Sequence, residues 1–323
     1  MTDMEAIARS IGEQADKAKQ SGKMILAAFA DFKVESKVKE IFSESRVPCY
    51  RFGNQAVEAC AAAVQYQQMR AKPEEESQPD FRVDKARTEK LLQEGAKREN
   101  KFLTEPEVYQ IFSDYGLTVA DYTVVRNKEE AHKATESIGF PLVAKIVSED
   151  VIHKSDNNGV VTDIKNEEEL LEAFETIHER VADKKTEAEI EGILLQKMET
   201  EGVELVIGAR YNKNYGHLLM FGLGGIFVEI LKDVSFRRVP IAKREALAMI
   251  EGIRTKKILE GARGQAPVDK ETLAEYLLRI GQLLTDFPQI EEIDINPIFG
   301  SGKGAVATDA RLGIRKDPTP ARL

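Results

Sequence analysis

The sequence predicts mixed α/β and α+β architecture, with a small α/β segment followed by a larger α+β unit. Three observations lead to that expectation. Over residues 1–70, apolar strand-like runs alternate with helical periodicity. Residues 71–80, Ala-Lys-Pro-Glu-Glu-Glu-Ser-Gln-Pro-Asp, combine two prolines with an acidic run and no larger apolar residue, which marks a linker. Beyond it, short strands and capped helices alternate as far as a glycine-linked hairpin near the end.

In the first segment the periodicity gives a helix to about residue 20, a strand over 24–30, a helix over 35–45, a strand over 47–51 and an alanine-rich helix over 55–69. Strands that alternate with helices imply parallel pairing, and two such strands leave both sheet faces poorly covered. After a helix over 82–95, Thr104-Glu-Pro-Glu107 reads as a capping box with proline in the first turn, and Gly116 closes that helix. A strand over 121–126 and a helix from Asn127 to Gly139 lead to an apolar strand carrying Lys145. There follow a polar loop with His153, a strand over 160–164 and a helix over 167–183, where Asn166 and Glu169 are spaced for capping. Strands are expected over 193–198, 203–211, 217–221, 226–231 and 237–241, with helices over 243–251 and 269–286. The hairpin joins 290–299 to 305–312 through Gly300-Ser-Gly-Lys-Gly304, and residues 316–323 form a tail.

Composition narrows the classes of function. The formal charge of -9, with both signs mixed along most of the chain, provides no basic surface for nucleic acid. No apolar run is long enough to span a bilayer and the first residues are acidic where a signal peptide is basic, so a cytoplasmic protein is expected. Cys49 and Cys60 lack metal-site spacing and are expected to be reduced core residues.

A lysine within an apolar strand needs a partner for its ammonium. An anion is the simplest, and a buried carboxylate is the alternative. His153 lies among Lys154, Ser155 and Asp156, where its near-neutral pKa suits transfer chemistry and a neighbour such as Asp156 can fix the tautomer. His132 and His178 fall on charged helices and His217 opens a strand with no evident partner. In the hairpin, Asp294 and Asn296 point away from Ile293 and Ile295, and Asp309 shares a face with Arg311. These oxygens can gather into a patch suited to magnesium, or face solvent. Gly222-Leu-Gly-Gly225 is either a phosphate loop or a tight turn.

Taken together, these stretches are similar to an ATP-grasp domain of the kind found in nucleoside-diphosphate-forming acyl-CoA synthetases, the ADP-forming acetyl-CoA synthetase family. The resemblance rests on Gly139-Phe-Pro-Leu-Val-Ala-Lys-Ile146, Val151-Ile-His-Lys-Ser-Asp156, the segment from Met220 through Gly224 and Gly225 to Arg237, and Glu292-Ile-Asp-Ile-Asn-Pro297 with Thr308-Asp-Ala-Arg311. It implies a two-lobed ATP-grasp domain over residues 96–315, with Lys145 on the α/β-phosphates and backbone around Gln196, Lys197 and Met198 on adenine. It also implies Glu204 on the ribose, Gly224, Gly225 and Arg237 near phosphate, and Asn296 and Asp309 on Mg2+. His153 resembles a phosphocarrier histidine that exchanges phosphate with ATP/ADP, oriented by Asp156.

Residues 22–70 resemble the end of the CoA-ligase region of fused members, a partial flavodoxin-like segment. The resemblance therefore implies the ATP-binding part of an acid–thiol ligase, either one subunit or a portion of a fused chain, assembled as a hetero- or homo-oligomer. CoA would be bound only through an α-type partner subunit or domain. A carboxylate–amine ligase and a non-catalytic nucleotide or acyl-CoA sensor are the alternatives, and the histidine motif argues against the first.

Overall fold

In the computed structural model the described residues are 3–29, 36–70, 78–150, 159–184, 189–225, 232–261 and 266–315. The chain divides into two compact units, Met1–Glu75 and Glu76–Leu323. Phe81 donates its N–H to Gln282 Oε1 at 2.8 Å and the Gln282 amide returns a bond to Phe81 O at 3.0 Å, so the segment before the helix is docked on the second unit.

The first unit holds helix α1 (Met4–Gln20), strand β1 (Ala27–Ala28), α2 (Ser36–Glu44), β2 (Cys49–Tyr50) and α3 (Gly53–Arg70). Asp3 caps α1 by accepting from Ala6 N at 3.0 Å. β1 and β2 pair in parallel, as the alternation implies, but over two residues each. Their core is small, drawn from Ala8, Ala15, Ala27, Val38, Ile41, Phe42 and Val47. Cys49 and Cys60 are free, as expected, but exposed rather than in that core.

The second unit opens with α4 (Lys85–Gly95) and α5 (Glu105–Asp114). The expected capping box is present, with Thr104 N donating to Glu107 Oε2 at 2.8 Å, and Gly116 follows the helix with φ +67°. Next come β3 (Tyr122–Val125), α6 (Lys128–Ile138), β4 (Leu142–Val147), β5 (Val160–Ile164), α7 (Glu167–Lys184) and β6 (Gly192–Lys197). These strands form an antiparallel sheet in the order β3-β6-β4-β5. Leu142, Ala144, Ile146, Ile193 and Leu195 fill one core beneath it, together with Leu170 and Ile177 of α7. Lys145, Leu194 and Gln196 alternate with that set and therefore lie on the opposite face.

The larger sheet comprises β7 (Val203–Asn212), β8 (Gly216–Leu223), β9 (Val234–Arg238), β10 (Ile290–Ser301), β11 (Gly304–Ala307) and β12 (Ala310–Ile314). Its order is β11-β10-β7-β8-β9, with β12 also on β10. Between β9 and β10 lie α8 (Lys243–Gly252), a 3-10 turn (Lys256–Glu260) and α9 (Lys270–Asp286). Ile293, Ala209 and Leu219 join one core with Leu273, Leu277 and Ile280 of α9. The strand expected over 226–231 lies outside the described residues. The one expected over 237–241 instead occupies Val234–Arg238, because Pro240 has no N–H to continue the ladder. The closing hairpin also differs: its return strand breaks at Thr308 and Asp309, opposite a register shift between Ile295 and Ile298. Pro297, which cannot donate to the ladder, sits inside that shift.

Candidate functional site

The buried strand lysine has a carboxylate partner, which is the alternative the sequence left open. Lys145 Nζ donates to Glu105 Oε1 at 2.7 Å, with Lys145 5% and Glu105 2% exposed. It also donates to the carbonyl oxygen of Thr308. One ammonium thus joins the smaller sheet, helix α5 and the break in the hairpin of the larger sheet. Glu105 accepts a further bond from the Tyr109 hydroxyl, and Gln196 Nε2 donates to that same hydroxyl at 3.0 Å. Burial, followed by the charge of Glu105, pushes the Tyr109 phenol well above its ordinary value, and Asp309 adds to the shift. The phenol therefore stays protonated and donates.

Neither Glu105 nor Tyr109 was among the residues the sequence singled out. Glu105 lies in the first turn of α5, where an acidic residue is favoured in any helix. The available signal was the i, i+4 spacing of Glu105 and Tyr109, which places them on one helix face.

Asn296 and Asp309 face each other across the hairpin break. Ile295 pairs with Ala310, and Asn296 N donates to Asp309 O at 3.1 Å. Cross-strand neighbours in such a pair have Cβ atoms about 5 Å apart. An amide oxygen and a carboxylate are hard donors, and magnesium sites use one or two carboxylates and complete the shell with phosphate and water. The pair fits that requirement.

Asp294 lies on the same face as Asn296, in register with Gly208, Met220 and Phe236. Burial is the main cause that raises the Asp294 carboxyl above its ordinary value. Arg237 is in register with Leu219, Ala209 and Ile293, the row that faces the core. Its Nη1 donates to Phe236 O at 2.7 Å. Strand alternation therefore places Arg237 and Asn296 on opposite faces of the larger sheet.

The end of β6 is largely engaged internally. The Gln196 side chain is turned inward to Tyr109, Lys197 N donates to Asp121 O at 2.8 Å, and Met198 N donates to Pro141 O at 3.1 Å. Lys197 Nζ reaches Phe140 O at 2.7 Å. Recognition of a base along this edge would fall to carbonyl oxygens.

Glu204 is exposed at the start of β7, and Gly224 N donates to its carbonyl at 2.8 Å. A Cβ on Gly225 would lie 2.9 Å from Glu204 Oε2, and one on Gly224 would lie 3.2 Å from the Glu204 backbone. These glycines are needed for close packing against Glu204, whatever else they contact.

His153 and Asp156 lie outside the described residues. His132 and His178 are exposed on helices as expected. His217, expected to have no partner, is buried and bonded through Nε2 to Ile290 O at 2.7 Å.

Comparison with known proteins identifies the family. The pattern of the ATP-grasp domain matches residues 94–314. The chain is 48% identical over 231 residues to the β subunit of an ADP-forming acetate–CoA ligase I of Pyrococcus furiosus, covering 72% of this chain and 98% of that subunit. It is 36% identical over 300 residues to the ADP-forming acetate–CoA ligase I of Archaeoglobus fulgidus, covering 92% of this chain but 43% of the longer relative. Among solved structures, the dinucleotide-forming acetyl-coenzyme A synthetase 1 of Ca. Korarchaeum cryptofilum aligns with a TM-score of 0.61 at 37% identity, covering 71% of this chain and all of that one. That structure is in complex with coenzyme A and Mg-AMPPCP, and its phosphohistidine segment points towards the nucleotide-binding site.

Proposed function

The chain belongs to the ATP-grasp family, among the β-type chains of ADP-forming acetate–CoA ligases, and from that premise we propose that it moves phosphate between ATP and a histidine carrier. The overall reaction it serves is acid + CoA + ATP ⇌ acyl-CoA + ADP + phosphate. The observation that carries the reading is the convergence of Lys145, from the smaller sheet, on the carbonyl beside Asp309, from the larger one. It unites a cationic donor with hard oxygens, which is what positioning and charge neutralisation of a nucleotide phosphate require.

In this reading Lys145 holds the α/β-phosphates, the carbonyl groups around Gln196, Lys197 and Met198 line the adenine, and Glu204 is placed for the ribose. Asn296 and Asp309 hold magnesium, which when bound neutralises phosphate charge and orients the terminal phosphoryl group. The neutral imidazole of His153 attacks the γ-phosphorus, a P–N bond forms as the P–O bond to ADP breaks, and ADP leaves. Asp156 fixes the imidazole tautomer. The reverse direction returns the phosphoryl group to ADP.

The phosphohistidine then serves a CoA-binding α-type partner. Support comes from the relatives: the chain spans nearly all of a β subunit but 43% of the longer ligase. Mixing the chain with such a subunit, acetate, CoA and Mg-ATP tests the reading. Thioester and ADP form in the mixture and from neither component alone. Thioester formation by the partner without this chain contradicts the proposal.

A further inference from the structure

We infer that Glu105 is the positioning residue for Lys145, and that with Tyr109 it forms a buried strut between the phosphate end and the adenine end of the nucleotide site. The inference rests on the reading of Lys145 as a phosphate contact. An ammonium has three N–H donors. Two are directed inward, to Glu105 Oε1 at 2.7 Å and to the Thr308 carbonyl. Tetrahedral geometry then sets the direction of the third, the one a phosphate oxygen would take.

The carboxylate is itself held in place. Tyr109, one turn further along α5, donates to the same Oε1 at 2.5 Å, and Gln196 Nε2 supports the Tyr109 hydroxyl at 3.0 Å. The chain of bonds therefore runs from β4 through α5 to the end of β6. Exchanging Glu105 for a phosphate would strand a carboxylate that is 2% exposed, and breaking a buried pair in this way is costly. The pair stays intact when nucleotide arrives, and Lys145 meets phosphate as an oriented donor rather than a roaming charge. Glu105 touches no substrate and acts through Lys145.

The test measures, for the full chain, the calorimetric Kd and stoichiometry of a magnesium-bound non-hydrolysable ATP analogue, together with the unfolding midpoint without nucleotide. Glu105→Asp keeps the charge and withdraws the carboxylate by one methylene, and its Kd is expected to rise about tenfold or more with stoichiometry unchanged. Glu105→Gln weakens binding to a similar degree. Tyr109→Phe removes the hydroxyl alone and weakens binding about three- to tenfold. In a Lys145→Gln background, Glu105→Asp adds less than about twofold, as expected when two residues act as one unit.

An unchanged Kd in the Glu105 variants, with only a lower midpoint or fewer sites, assigns Glu105 a merely structural role and overturns the inference. Tighter binding by Glu105→Gln overturns it too, because the carboxylate would then oppose phosphate. Should the Glu105 variants fail to fold, Tyr109→Phe decides the matter, and wild-type Kd in that variant overturns the inference. Failure of the wild-type chain to bind the analogue, or full binding by Lys145→Gln, overturns the underlying reading instead.

Discussion

Lys145 shows what a single buried charge demands of a fold. Its ammonium is 2.7 Å from a carboxylate that lies 40 residues upstream, and both are nearly inaccessible. Pairs of this kind add little net stability relative to apolar residues of equal volume, yet removing one member leaves a charge with no compensation. Lys145→Met is therefore expected to lower the unfolding free energy by about 3–5 kcal/mol, read from denaturant titration. Adding Glu105→Gln should recover a substantial part of that loss, and a double variant no better than the single one would contradict the pairing. The need for a partner was legible in the sequence, because a lysine flanked by Leu142, Val143, Ala144 and Ile146 has nowhere apolar to put its charge. The partner's identity was not legible, since periodicity says which face a residue takes and nothing about what meets it there.

The closing hairpin and its neighbours make the same point for elements. Alternation paired Asn296 with Asp294 and Asp309 with Arg311 and left open whether the two strands bring them together; the structure sets Asn296 opposite Asp309. The break in the return strand escaped detection because it arises from pairing: β11 and β12 both pair with β10, on either side of the shift at Pro297. Helix ends were easier to read, because the capping groups at Thr104, Asn127 and Asn166 lie within a few residues of the helices they start. The face that Arg237 takes was not legible, because it depends on the register of β9 against β8.

If Asn296 and Asp309 hold magnesium, Asp309→Ala or Asn296→Ala should weaken Mg-nucleotide binding about tenfold or more. The difference between binding with and without magnesium should shrink in both variants, and magnesium dependence equal to wild type would exclude them as ligands. The bond that His217 of β8 makes past β7 to Ile290 of β10 carries a pH prediction. Burial holds His217 below its ordinary value while it bonds to Ile290 O, so the unfolded chain binds a proton more readily than the folded one. Stability from this group is complete above the unfolded value of about 6.5 and is lost as pH falls from there toward the lower folded value. His217→Gln should flatten that part of a stability-versus-pH curve.

The molecule as a whole comprises two units with separate cores. The second unit contains both sheets, the Lys145 network and the hairpin, and it corresponds to the residues matched by the ATP-grasp pattern. The first has a small core around two short parallel strands. Matches to β subunits span about 230 residues, whereas the match to the longer Archaeoglobus ligase spans 300. Among the described residues no helix is long and apolar enough to cross a membrane. In the proposed reaction phosphate passes through this chain on a histidine. The most direct measurement is incubation with γ-labelled ATP and magnesium, followed by acid and base treatment of the protein. Base-stable, acid-labile label is expected on the wild-type chain and is expected to be absent from His153→Ala. Release of ADP with no labelled protein, or undiminished label on His153→Ala, would contradict it.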